Sequence, residues 1–535
     1  MRRLDLAALK ITDRWNGAKF DLDVSMDTRM SGNVANLFKG RVGVRNFSMY
    51  SSDTVYRLDS LDVVADAGSL ALHSDFATAR ITGDYRLRTI ARSLTGMLGS
   101  RLPTLFGGAG ATDNRFTLNA EIVKTDWLSA LFDVPLELGA PLKVSANVDD
   151  GLGVMSMVCH ADRIDYDGNP YENFAIRMDA LGDTLSVDGS VCKVMGNGHR
   201  LDLSLEAAAV DDKLATSVRW SNNMDRLMAG VLNAETRFVR SDAGGTGVDI
   251  AVKPSHILVN DTIWNVLPSS IAYNGGDLTI DHFAIEHDRQ HIRIDGMATK
   301  HADDSITVDL QDVDVNYVLG LVNFHSVEFG GNMTGKAYVK SVFYEPDAYA
   351  DLIVDNFTFE HGRMGKLFAK VNWNKDDKRI DIDARADDAD NARTTIQGYV
   401  SPANNRIDLG IKAEDTNIEF LESFCGAFMD EINAKANGNL RLHGPLDAIE
   451  LTGKVVADGK ARITPINVSY SLVNDTIHFM PDNIVFRADT IRDRNGNIGI
   501  VNGSLHHKHL SHLTYDVSIS TKNLLCYDTN GYGDD

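Results

Sequence analysis

No run of about twenty apolar residues occurs in the 535-residue sequence, so nothing in it has the length to cross a bilayer as a helix. After Met1-Arg2-Arg3 the chain goes straight to LDLAALKITDRWNGAKF, without the apolar core of a secretory signal. Only 11 prolines occur, and no stretch rich in Pro, Gly or Ser divides the chain, so any domain boundary is soft. The four cysteines, Cys159, Cys192, Cys425 and Cys526, show neither CxxC nor any other metal spacing, which removes zinc sites and a disulfide framework and leaves buried free thiols. Positive charge is short as well. With 53 Lys and Arg against 75 Asp and Glu, the formal charge of -22 argues against nucleic acid or an anionic membrane surface as the main partner, since both need a basic footprint.

Catalytic signatures are missing too. There is no GxSxG, HExxH, Walker or GxGxxG pattern in its required context, and the carboxylates are spread in alternation rather than clustered, so the chain is read as no enzyme and as needing no cofactor. Three motifs tempt and fail. Gly244-Gly245-Thr246-Gly247-Val248-Asp249 matches the start of a calcium-binding nonapeptide, but such sites form between stacked copies and only one is present. Asp493-Arg494-Asn495-Gly496-Asn497 opens like an EF-hand loop, yet its sixth position is Ile498 and its twelfth Ser504, so it reads as a polar turn. His506, His507, His509 and His512 are the one weak metal candidate. In an extended strand His507 and His509 share a face while His506 and His512 lie on the other, so they do not converge.

What the sequence does hold is alternation. Phe20, Leu22 and Val24 fall at period two, as do Leu142 and Val144, and Leu201, Leu203 and Leu205. The same spacing returns at Ile306, Val308 and Leu310, at Ile380 and Ile382, and at Ile407, Leu409 and Ile411. It continues at Leu440 and Leu442, and at Tyr515, Val517 and Ile519. Period two means a strand with one dry and one wet face. Aspartate marks the wet face in Ile380-Asp381-Ile382-Asp383, where it also discourages edge-to-edge association. Turn residues separate the runs at Asp149-Asp150-Gly151, Asp167-Gly168-Asn169-Pro170 and Asn274-Gly275-Gly276, which suits antiparallel up-and-down strands.

Helical spacing is rarer. Ile90, Leu94, Met97, Leu98, Leu102 and Leu105 predict an amphipathic helix over 89–106, packed on the sheet, with Gly96 and Gly99 weakening it. A shorter pattern of two apolar pairs four residues apart occurs at Trp127-Leu128, Leu227-Met228, Tyr317-Val318 and Phe420-Leu421, with starts separated by about 100, 90 and 103 residues, as in a loose repeat. Asn417 is the expected N-cap of the last copy. The hexapeptide LVNDTI occurs twice, at 258–263 and 472–477, each followed later by an apolar-x-Gly segment, Ile294-Asp295-Gly296 and Val501-Asn502-Gly503.

The phrases GNLRLHGPLDAIELTGKV (438–455), INVSYSLVNDTIHF (466–479) and VFRADTIRDRNGNIGIVNGSLHHKHLSHLTYDVSISTKNLL (485–525) resemble the C-terminal region of TamB-like proteins, within the AsmA-like superfamily, in the form seen in Bacteroidetes-type bacteria. PSHILVNDTIWNVLPSSIAYNGGDLTIDHFAI at 254–285 resembles it more weakly, and the first half does so only in style. The resemblance implies an elongated, curled antiparallel β-sheet with an apolar groove, of the β-taco type. It further implies a periplasmic location, an inner-membrane anchor helix not contained in this sequence, movement of phospholipid between the membranes, and a tie to an outer-membrane barrel assembly protein.

The expectation is therefore a mainly β fold with a few short amphipathic helices: residues 1–310 as the N-terminal part of the groove and 311–535 as TamB-like repeats, the whole an internal or partial segment of a lipid conduit. The alternating apolar residues named above are the candidate groove lining, with phospholipid acyl chains as their partner. The alternative is a structural β-repeat scaffold for outer-membrane protein assembly, filled by its own side chains. Alternation by itself leaves both open.

Overall fold

The computed structural model describes residues 19–528, apart from 31–37, 51–54, 129–133, 318–327 and several shorter stretches. The fold is mainly β, with antiparallel strands paired in chain order and few short helices. The chain clusters into two compact units, Met1–Gly276 and Asp277–Asp535, so the division near 310 drawn from repeat spacing falls inside the second. Strands form where period two predicts them, and the predicted turns are turns: Asp167 and Gly168, both at positive φ, join the strands Val154–Tyr166 and Asn169–Leu181.

In the first unit the helix expected over 89–106 is present as two pieces, α1 (Ile90–Gly99) and α2 (Pro103–Phe106). Proline at the first position of α2 starts a new helix there, since its missing N–H cannot continue the old one. Met97 and Leu102 are buried in one cluster with Phe116, Val148, Met155, Ala180, Leu185 and Ala209, and Ile81, Leu214 and Phe238 pack against it. Those residues come from nine neighbouring strands, which a flat sheet would spread over roughly 38 Å at about 4.8 Å per strand, whereas a ten-residue helix is about 15 Å long. The sheet must curl to bring them together, with its apolar side inward.

Polar groups lock the helices to the hairpin ends. The buried Arg101 guanidinium donates to the carbonyls of Met97 (2.9 Å), Gly153 (2.9 Å) and Gly182. Asp212 accepts from the Thr104 N–H (2.8 Å) and hydroxyl (2.9 Å). The buried Asp150 carboxylate accepts from Ser93 (3.1 Å) and from the Thr112 N–H (2.6 Å). A charge or donor buried away from water needs such partners, and here they come from alternate turns along the sheet.

In the second unit a bulge-and-cap device recurs. His282, Asp312, Asp415 and Ala488 each sit at positive φ in a strand, and the N–H of each donates to a side chain on the next strand. The acceptors are Asp295 (3.0 Å), Thr334 (3.0 Å), Asn437 (2.8 Å) and Asn502 (2.9 Å). A glycine at positive φ follows every acceptor: Gly296, Gly335, Gly438 and Gly503. A Cβ at these glycines would stand 2.1 to 2.3 Å from a carbonyl oxygen of the adjoining strand. Bulges and glycine kinks bend strands locally and let a sheet coil. The apolar-x-Gly segments legible in the sequence are two of these four units.

Two expectations change. Leu227-Met228 and Val231-Leu232 predicted a short helix, but Met228–Arg240 is a strand, because pairing with Lys213–Asn222 and Thr246–Val259 on both sides satisfies its backbone in extended form. The copy at Phe420 does form helix, a short turn Glu419–Leu421 running into α3 (Glu422–Cys425), and the Asn417 side chain accepts the Glu419 N–H at 2.9 Å. The copies beginning at Trp127 and Tyr317 lie largely outside the described residues.

Candidate functional site: an apolar face in register

Cross-strand partners project to the same side of a sheet, so the pairing register decides which side chains share a face. In the first unit one row passes through twelve strands: Val42, Val63, Leu72, Ala79, Ala120, Val144, Cys159, Ile176, Gly189, Leu205, Val218 and Leu232. Nothing in it is charged. The parallel row nearer the hairpin ends, with Phe116, Val148, Met155 and Ala180, is buried beneath α1 and α2, whereas this one is mostly half-buried.

The second unit repeats the arrangement without a break. One row runs Ile285, Ile292, Leu310, Gly335, Leu352, Ala369, Ala384 and Ile396, then Ile411, Leu440, Gly453, Phe479, Ile484, Leu505 and Tyr515, one residue from each of fifteen strands. Beside it runs Ile294, Val308, Ala337, Ala350, Val371, Ile382, Gly398, Leu409, Leu442 and Leu451. A third row, including Val313, Met333, Val354 and Ala386, is buried, and Phe420 reaches this cluster from the turn before α3, its ring 5.2 Å from that of Phe359.

The predicted lining residues fall on these faces. In the first unit Leu142 and Val144, and Leu201, Leu203 and Leu205, are on the apolar side. Phe20 is buried against Phe47, Val24 is 49% exposed beside Val44, and the Leu22 side chain lies outside the described residues. In the second unit Ile306, Val308 and Leu310, Ile380 and Ile382, Ile407, Leu409 and Ile411, and Leu440 and Leu442 share one side. Leu310 and Ile407 are fully buried and the others half-buried. Tyr515, Val517 and Ile519 lie on Ser511–Thr521, which among the described residues pairs with one strand only, and they are exposed.

The opposite face of the second unit carries charge in alternation. Arg293, Asp309, Lys336, Asp351, Lys370 and Asp383 are successive cross-strand partners. Hydrogen bonds from Arg441 hold the Asp408 carboxyl below the usual carboxylate range, and those from Arg462 do the same at Asp430. On the apolar face of the first unit, burial pushes the Cys159 thiol up. Cys192 points to the other side of the sheet, so these two free thiols face apart.

Of the candidate metal ligands, His506 is exposed and the neighbouring His507 buried, on opposite faces of Ile498–Lys508. His509 and the His512 side chain lie outside the described residues. Sequence reading missed a closer grouping, in which ligand atoms of Asp281, His282 and Asp295 come within 4.8 Å of one another at the surface. Asp295 there accepts the His282 N–H, so it serves as the bulge cap described above. Ala337 and Ala350 were also missed as lining, because alanine carries little periodicity signal, as was Val371; register places all three in the row.

Comparison with protein-family models, with curated proteins and with solved structures gives no match to this chain.

Proposed function

We propose that the chain is a segment of a TamB-like conduit, on whose apolar faces phospholipid acyl chains ride between the inner and outer membranes. The observation that carries this reading is the uncharged row with one residue from every strand of Asp277–Asp535, half-buried over much of its length. An acyl chain of about sixteen carbons costs roughly 13 kcal/mol to expose to water at about 0.8 kcal/mol per methylene, and a continuous dry lining removes most of that cost. The charged opposite face keeps such a sheet in solution. Passive transfer along the lining needs no catalytic group and no nucleotide. The sequence resemblance supplies the periplasmic setting, the inner-membrane anchor and the outer-membrane barrel assembly partner, all part of the proposal.

Ile382 and Asp383 provide the test. Ile382 sits half-buried in the apolar row between Val371 and Gly398, while Asp383 lies on the charged face opposite Lys370. Ile382→Asp puts a carboxylate in the path of acyl chains without touching the backbone ladder. On an open face it finds water or takes up a proton, so the fold loses only about 1–3 kcal/mol while lipid recovered with the protein falls sharply. Asp383→Ser changes neither. Local unfolding by Ile382→Asp, or parent protein that carries no lipid, would instead support a self-packed scaffold.

A further inference from the structure

One depression in the apolar face of the second unit differs from the rest of the row. Its volume is about 820 Å³. Alanines at 337, 348 and 350 make a low floor, and Val371, Trp373 and Ile380 stand around it. The register puts these side chains on the same side of the sheet. The mouth opens at hairpin ends that carry both signs of charge. Lys375 there is neutralised by Glu345 at 2.7 Å, and Asp377 by Arg379 at 3.0 Å. Asp376 and Lys378 are exposed, and neither forms an ion pair among the described residues.

We propose that this depression is a holding site for one acyl chain of a zwitterionic phospholipid, its headgroup read at the rim by Lys378 and Asp376; the proposal rests on the conduit reading above. Size selects one chain. Counting each methylene at about the 30 Å³ share of a water molecule, a chain of about sixteen carbons needs roughly 500 Å³, so one fits with room for its glycerol and two do not. The volume lies in the range of about 300–1,000 Å³ typical of small-molecule sites. Charge selects the head. Lys378 and Asp376, the cation and anion at the mouth outside those ion pairs, match a phosphate and an ammonium on neighbouring atoms, whereas a purely anionic head would bring no ammonium to Asp376. The floor accounts for the site's position, because larger side chains at 337, 348 and 350 would level the face.

Trp373 makes the site readable. Phosphatidylethanolamine with brominated acyl chains, added to the full chain, quenches indoles that its tails touch, and the part of the signal lost in Trp373→Phe reports this site. Trp220 lies over Gly230 in the first unit, on the apolar side with Leu203, and reports the lining there; Trp264 is buried. The expected result is quenching at Trp373 that Ala350→Phe abolishes, and that Lys378→Glu, on an exposed turn where folding is not at stake, shifts to about tenfold higher lipid. Brominated phosphatidylglycerol should quench Trp373 several-fold more weakly. Quenching at Trp220 without quenching at Trp373 overturns the holding site and leaves the conduit standing. No quenching at either overturns both. Equal quenching by the two lipids, or indifference to Lys378→Glu, overturns the headgroup assignment.

Discussion

Asn437 and Asp415 hold each other across two strands: the Asn437 Oδ1 accepts the Asp415 N–H at 2.8 Å, and its Nδ2 donates to the Asp415 carboxylate at 2.8 Å. Asp415 is exposed and at φ 49° in a bulge, so its N–H leaves the ladder and takes the Asn437 side chain as its partner. Asn437→Ala should therefore cost about 0.5–1.5 kcal/mol, the net worth of hydrogen bonds whose exposed groups fall back on water. Chemical denaturation measures it. Asn437→Asp keeps an acceptor but sets two carboxylates side by side, and should recover little of the loss at pH 7.

Arg101 ties α1 to the turns at Gly153 and Gly182. Burial pushes its guanidinium down from its ordinary value, with the charge of Asp183 opposing. Arg101→Ala leaves the Gly153 and Gly182 carbonyls without this donor and removes a buried side chain, for an expected loss of about 2–4 kcal/mol. Amide exchange should locate that loss. Protection should fall in the strands between 142 and 222, while the strands between 379 and 444 keep theirs.

Asp493 closes the second unit. Its carboxylate accepts from the N–H groups of Asn495 (2.8 Å), Asn497 (2.9 Å) and Leu525 (2.9 Å) and from the Asn497 amide (2.8 Å). Burial pushes this carboxyl up, but those four hydrogen bonds outweigh it and hold it at about 2. Because the folded value lies below the unfolded one, the stabilisation is complete above about pH 4 and is lost as the pH falls toward 2. Asp493→Asn should be less stable than the parent at neutral pH, with the gap narrowing between pH 4 and 2. Denaturation midpoints against pH measure this; a gap that stays constant through that window would contradict it.

Much of the fold was legible because strand alternation is local. Ile380-Asp381-Ile382-Asp383 names its dry and wet faces without any neighbour, and Asp167-Gly168 is a turn by its own backbone preferences. The amphipathic stripe from Ile90 to Leu102 likewise located α1 and the start of α2. Other features needed partners. The bulge caps join a strand to its neighbour, so Asp295, Thr334, Asn437 and Asn502 show their shared role only in register.

The two LVNDTI copies separate what the sequence determined from what tertiary structure decided. Alone, the hexapeptide specifies apolar residues flanking Asn-Asp, which suits a hairpin or a bulged strand equally. At 258–263 Val259 pairs with Thr262 and the chain reverses, whereas at 472–477 it runs straight through Val468–Met480 with Asn474 at φ 53°. The strand beside the second copy, Glu450–Ile463, is long enough to pair on both sides of the bulge, so continuing satisfies more backbone groups than turning. The same cause made a strand of Met228 to Leu232, where paired apolar residues suggested a helix. Side-chain pattern settled which residues would be dry. Only the pairing of each strand with its neighbours decided where the chain turned, and which dry rows lie buried beneath helices and which stay half-open.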